Sequence, residues 1–173
     1  FMRKSFTLVE LLVTSAIIMI MLGITIAYSQ KGEGINKVNR SVERIAFDIR
    51  RIANLSMQTR QIGDKKVCGW GIVFDESKTN QYIIFSDFCE GESIRGDKRF
   101  SEAEIHEVVK LNWGVVIKEF DINMLMYLPP EPRLEIYDEY DNLANDGLIS
   151  LTTVAGNFVK SISINQAGMI STK

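Results

Sequence analysis

The sequence predicts an α+β fold, with a long N-terminal helix packed on a β-rich antiparallel head. The helix is apolar in its first half and amphipathic in its second. Three observations carry this expectation. Phe6 to Tyr28 is an apolar run with a single charge, Glu10. Ile35, Val38, Val42, Ile45, Ile49 and Ile52 then recur at 3-4-3-4-3 spacing, the signature of one apolar helix face. From Val67 onward, short apolar runs alternate with turn residues, as strands do.

The apolar run of 23 residues would extend roughly 35 Å as a helix at about 1.5 Å per residue, enough to span a bilayer core. Arg3 and Lys4 precede it, so the positive-inside rule leaves the N-terminus in the cytoplasm and sends the head outward. The run is longer than the core of a cleaved secretory signal, and no small-x-small site follows it closely. A plain signal anchor is the competing reading. Neither a signal nor an anchor explains Glu10, because an ionised side chain in such a segment costs at least about 2.5 kcal/mol and calls for a partner.

After Tyr28 the chain turns polar. Gly32 and Gly34 flank Glu33 and predict a bend or weak point, since glycine costs about 1 kcal/mol against alanine in a helix. The apolar stripe beyond them covers less than three heptads, which favours a helix laid across a sheet over a freestanding coiled coil. Gly63-Asp64 is the expected helix stop, so the stem is read as residues 29–62.

The head is read as 67–173, in strands Val67–Phe74, Gln81–Phe88, Ile105–Leu111, Val115–Phe120, Met124–Leu128, Leu134–Tyr137, Leu148–Thr153, Phe158–Asn165 and Met169–Ser171. Pro129, Pro130 and Pro132 are expected to separate two groups of strands. Ser101-x-x-Glu104 reads as a capping box, which makes a short helix at Glu102–Val109 the alternative to a strand there. Symmetric pairing of the first hairpin would set Phe74 against Ile83 and Cys68 against Cys89, within disulfide range; two reduced core cysteines are the alternative.

Net charge is -2, but it is unevenly spread. Residues Lys31–Lys66 hold nine Lys or Arg against four Asp or Glu, whereas Val67–Lys173 hold nine against seventeen. An acidic head repels phosphate and is a poor candidate for nonspecific nucleic-acid binding.

An enzyme would need a nucleophile and a base. His106 is the one histidine, without a flanking motif, and no Gly-x-Ser-x-Gly, His-Glu-x-x-His or phosphate loop is present. No catalytic residue and no cofactor are expected. Two cysteines and His106 are an incomplete, scattered metal-ligand set. Asp138, Asp141 and Asp146 cluster oxygens in one segment and are weak calcium candidates without EF-hand spacing.

The basic leader, small residue, Phe6-Thr7-Leu8-Val9-Glu10 and long apolar helix resemble the N-terminus of type IV pilins and type II secretion pseudopilins. The helix followed by Gly69-Trp70-Gly71-Ile72-Val73-Phe74 and Tyr82-Ile83-Ile84-Phe85 resembles the GspH/FimT group of minor pseudopilins and minor pilins, as does the closing Val159-x-Ser161-Ile162-x-Ile164. The resemblance implies a leader at 1–5, a transmembrane and filament-core helix at 6–28, peptidase cleavage between Ser5 and Phe6, and N-methylation of Phe6. It also implies that Glu10 pairs with a neighbouring subunit's N-terminal amine during assembly. Implied partners are other pilin or pseudopilin subunits, a prepilin peptidase, an inner-membrane assembly platform and the membrane. The family prefers Gly before the cut, where this chain has Ser5. It commonly has a helix-kinking Pro, and none precedes Pro129 here. A non-enzymatic filament subunit is therefore expected, with a membrane-anchored binding module that never assembles as the alternative.

Overall fold

A computed structural model describes residues 7–58, 61–89, 96–129, 133–156 and 158–172, without the side chains of 26–31. One helix, α1 (Leu8–Met57), is followed by eleven strands. Thr7 caps it, its side chain accepting from the Glu10 N–H at 3.3 Å. At Gly32 and Gly34, where the sequence predicts a bend or weak point, α1 keeps its helical hydrogen bonding through both glycines. Glycine lowers helix stability by about 1 kcal/mol but removes no backbone donor, so a helix held along one flank persists through it.

The helix stops at Met57 rather than near Ile62. There Gln58 turns extended and its N–H donates to the Leu55 carbonyl. Gly63-Asp64 is instead the tip of a hairpin between β1 (Gln61–Ile62) and the start of β2 (Lys65–Phe74). Gly63 adopts φ +61°, the left-handed conformation that a two-residue hairpin demands at its first central position.

β2 pairs antiparallel with β3 (Gln81–Phe88) on one side. β4 (Ile105–Lys110) extends that side. On its other flank β2 pairs with β6 (Met124–Leu128), then come β7 (Arg133–Tyr137) and β8 (Leu143–Ala144). These strands and β1 make a seven-stranded sheet. A second, four-stranded sheet has the order β11 (Ile170–Thr172), β10 (Val159–Asn165), β9 (Asp146–Thr153), β5 (Val115–Phe120). The prolines do not divide the two groups. Pro130 and Pro132 lie outside the described residues, yet the strands they link, β6 and β7, are paired neighbours. The chain changes sheet elsewhere, after β4, after β5 and after β8. A link between antiparallel neighbours owes no ladder donor, so proline is tolerated there.

Both sheets meet at α1. Val38, Val42, Ile45, Ile49 and Ile52 are fully buried, sharing one core with Trp70, Ile72, Phe74, Leu125 and Ile136 of the larger sheet and Ile117, Ile149, Leu151, Ile162 and Ile164 of the smaller. Ile35, the first member of the predicted stripe, stays partly exposed. The opposite face of the larger sheet has its own cluster, Val73, Ile83, Phe85, Met124 and Met126, over which Phe100 packs.

Asp48 also sits on the buried face of α1, with no exposure. The Tyr82 hydroxyl of β3 donates to its Oδ2 at 2.6 Å and the Arg44 Nε at 3.0 Å, while the Arg51 guanidinium lies 3.7 Å from Oδ1. Arg51 continues to Glu107 on β4 at 2.9 Å. Burial, then the hydrogen bond to Asp48, push the Tyr82 hydroxyl far above the usual tyrosine range, so it remains a donor. Tyr82→Phe should therefore cost about 1.5–3 kcal/mol, because it removes a charge-assisted bond from a buried carboxylate. Chemical unfolding of the full chain in detergent measures this.

The first hairpin is offset by one residue from the symmetric register. Phe74 pairs with Tyr82, and a bulge between Val67 and Gly69 leaves Cys68 without a ladder partner. The polar link between the strands closes as a 3₁₀ turn, Glu76–Lys78, with the Asp75 side chain accepting from the Ser77 N–H at 2.8 Å. The bulge brings the cysteines together: Cys68 and Cys89 are disulfide-bonded with Cα atoms 5.1 Å apart, and the Cys89 N–H donates to the Lys66 carbonyl. The bond closes a sequence separation of 21 residues, for which loop-closure entropy suggests about 3 kcal/mol. The double variant Cys68→Ser, Cys89→Ser should lose roughly that much in the same unfolding measurement.

Candidate functional site

The head leaves Leu8–Thr25 of α1 uncovered. Leu8–Thr25 is long and apolar enough to cross a membrane, and none of it is buried. Its hydroxyl side chains are satisfied within the helix. The Thr14, Ser15 and Thr25 hydroxyls donate to the carbonyls of Leu11, Leu12 and Met21 at 2.8–3.0 Å.

Glu10 stands exposed in the first turn of this helix. A carboxylate there is favoured by the helix dipole and by the free N–H groups of the first turn. Leu8, Val9, Leu11, Leu12 and Val13, its neighbours in sequence, are all largely exposed. The arrangement therefore presents one negative charge on an otherwise apolar rod, able to pair with one cation brought alongside. Ser5 and Phe6, the expected cleavage site, lie outside the described residues.

Within the head, the sequence-derived candidates separate. Both cysteine sulfurs are committed to their bond, so neither offers a thiolate. His106 lies on exposed β4 with its ring edge-on to the buried Trp70, centroids 4.9 Å apart. It is a packing residue as well as a solvated one. Asp138 is used by its own loop, its carboxylate accepting from the N–H groups of Tyr140 and Asn142 at 2.8 Å. Those bonds, Asn142's first, hold it below the ordinary carboxylate value. Asp138, Asp141 and Asp146 do not bring ligand oxygens together. Among the described residues, three carboxylates converge at a different place, Asp87, Asp97 and Glu104. Sequence reading missed this group because Asp87 reads as one more strand residue. Glu104 was legible only as a capping partner: its Oε2 accepts from the Ser101 N–H and hydroxyl at 3.1 and 2.8 Å.

Residues 1–26 match the family model described as the prokaryotic N-terminal methylation motif. No curated protein matches the chain. Among solved structures, the minor pseudopilin EpsH from the type 2 secretion system of Vibrio cholerae aligns over 79% of this chain and 96% of its own, with TM-score 0.46 and 9% identity. No role is carried over from that likeness. The matched segment takes in Glu10 and most of the apolar half of α1, in a chain whose later residues form antiparallel sheets.

Proposed function

We propose that this chain is a non-enzymatic minor pilin or pseudopilin, a subunit of a type IV pilus or a type II secretion pseudopilus. It enters the cytoplasmic membrane as a single-pass protein, N-terminus inside and head outside. A prepilin peptidase cuts between Ser5 and Phe6, Phe6 is methylated, and an inner-membrane platform adds the subunit to the filament through its N-terminal helix. The carrying observation is the methylation motif at residues 1–26, seated on a helical half that the head leaves bare. The bare half cannot stay in water, since each exposed Leu, Ile or Val favours transfer to an apolar neighbour by about 1.5–3 kcal/mol. Membrane first and neighbouring subunits later satisfy the same surface.

The Cys68–Cys89 bond supports a head outside the reducing cytoplasm. Glu10 supports assembly in register. Paired with a neighbour's N-terminal amine, it is neutralised; one step out of register, both charges are left unpaired in low dielectric.

Intact mass of the native protein from membranes should show a chain starting at Phe6 with one added methyl. Glu10→Ala should still insert, yet enter filaments at least about tenfold less well, as expected when a buried charge loses its partner. A chain retaining Arg3-Lys4-Ser5, together with unchanged behaviour of Glu10→Ala, would instead fit an anchored module that does not assemble.

A further inference from the structure

We infer that Asp87, Asp97 and Glu104 form a calcium site that ties residues 96–104 onto the outer face of the larger sheet. Asp87 lies on β3, on the same face as Ile83 and Phe85, and is fully buried. A Cβ placed at Gly96 would fall within the Asp87 carboxylate, so the chain crosses directly over it. Neither Asp87 oxygen has a hydrogen-bond partner among the described residues. A buried carboxylate left in that condition needs a proton or a cation.

The geometry favours a cation. One oxygen from each of the three carboxylates lies within 4.8 Å of the others. Oxygens sharing a calcium ion at about 2.3–2.6 Å can be at most about 5 Å apart, so one ion can reach all three. No Lys or Arg of the described residues forms an ion pair with any of them; the nearby Lys98 is held by both oxygens of Glu135 at 2.9 Å. Second partners already orient two of the ligands. Glu104 Oε1 accepts from the Phe88 N–H at 3.1 Å, and Asp97 Oδ1 accepts from the Arg99 N–H at 2.9 Å.

Burial first, then the charges of Glu104 and Asp97, push the Asp87 carboxyl up to about 6. The backbone N–H groups of Lys98 and Asp97 pull it down in part, though neither completes a hydrogen bond. The donors are all oxygens, which excludes a thiolate or imidazole zinc site. Magnesium prefers one or two carboxylates and several waters in strict octahedral order. Calcium accepts a charged, irregular set, and a cavity of about 430 Å³ beside Asp97 and Glu104 admits the waters that complete it. Asp64, Lys65 and Lys66 share that cavity.

Calcium chloride titrated calorimetrically into the full chain, disulfide intact and in detergent, should show one ion bound per chain. Asp97→Asn, on an exposed residue, should bind at least about tenfold more weakly, and Asp87→Asn should abolish binding. Asp138→Asn should bind as the parent does. Absence of saturable binding by the parent at millimolar calcium would overturn the assignment, as would undiminished binding by Asp97→Asn. Asp97→Asn decides the matter even if Asp87→Asn does not fold.

Discussion

Five side chains on one face of α1 form the part of the core that both sheets share. Val38, Val42, Ile45, Ile49 and Ile52 are each fully buried, worth about 1.5–3 kcal/mol apiece as an upper estimate. These side chains join the cores of the two sheets, which also touch directly where Phe74 meets Phe120, ring centroids 6.1 Å apart. Asp48 gives that apolar contact a fixed rotation and height. A buried carboxylate tolerates no slip, because moving it away from Tyr82, Arg44 and Arg51 exposes an unpaired charge to the core. Ser41 adds a second tie: Asn112, in the link between β4 and β5, donates to its hydroxyl through Nδ2 at 3.1 Å.

A helix held this firmly along its second half can carry an unsupported first half. The 50 residues of α1 are continuous, so the head's orientation is coupled through hydrogen-bonded backbone to the apolar rod and to Glu10. Gly32 and Gly34 leave the helix intact but lower the local cost of bending it.

The larger sheet is covered on both faces, and the two covers differ in kind. α1 covers one face with aliphatic side chains. The other face is met by residues 96–104, which Phe100 fastens to the apolar cluster and Lys98 to Glu135 and hence to β7. Lys98 takes φ +59°, a conformation that non-glycine residues adopt only when contacts enforce it. The Cys68–Cys89 bond on one side and the carboxylates of Asp97 and Glu104 within these residues suit a cover made of cross-links rather than of core.

Periodicity alone determined α1's buried face, the apolar rod and most strand positions, because 3.6- and 2-residue repeats are written directly in the order of side chains. The isolated charge of Glu10 was equally visible, since one carboxylate in an apolar run contrasts with every neighbour. Several features were decided only by tertiary structure. The helix end moved from Ile62 to Met57 because a Gly63-Asp64 hairpin competed for the same residues. The disulfide was legible as a possibility, but a bulge at Cys68, not a symmetric register, delivers it. Asp48 looked like one more stem charge until Tyr82 arrived from 34 residues away. Asp87, Asp97 and Glu104 carry no spacing that marks them as a group. Sequence records what each residue prefers locally, whereas a buried charge is defined by what folding places beside it.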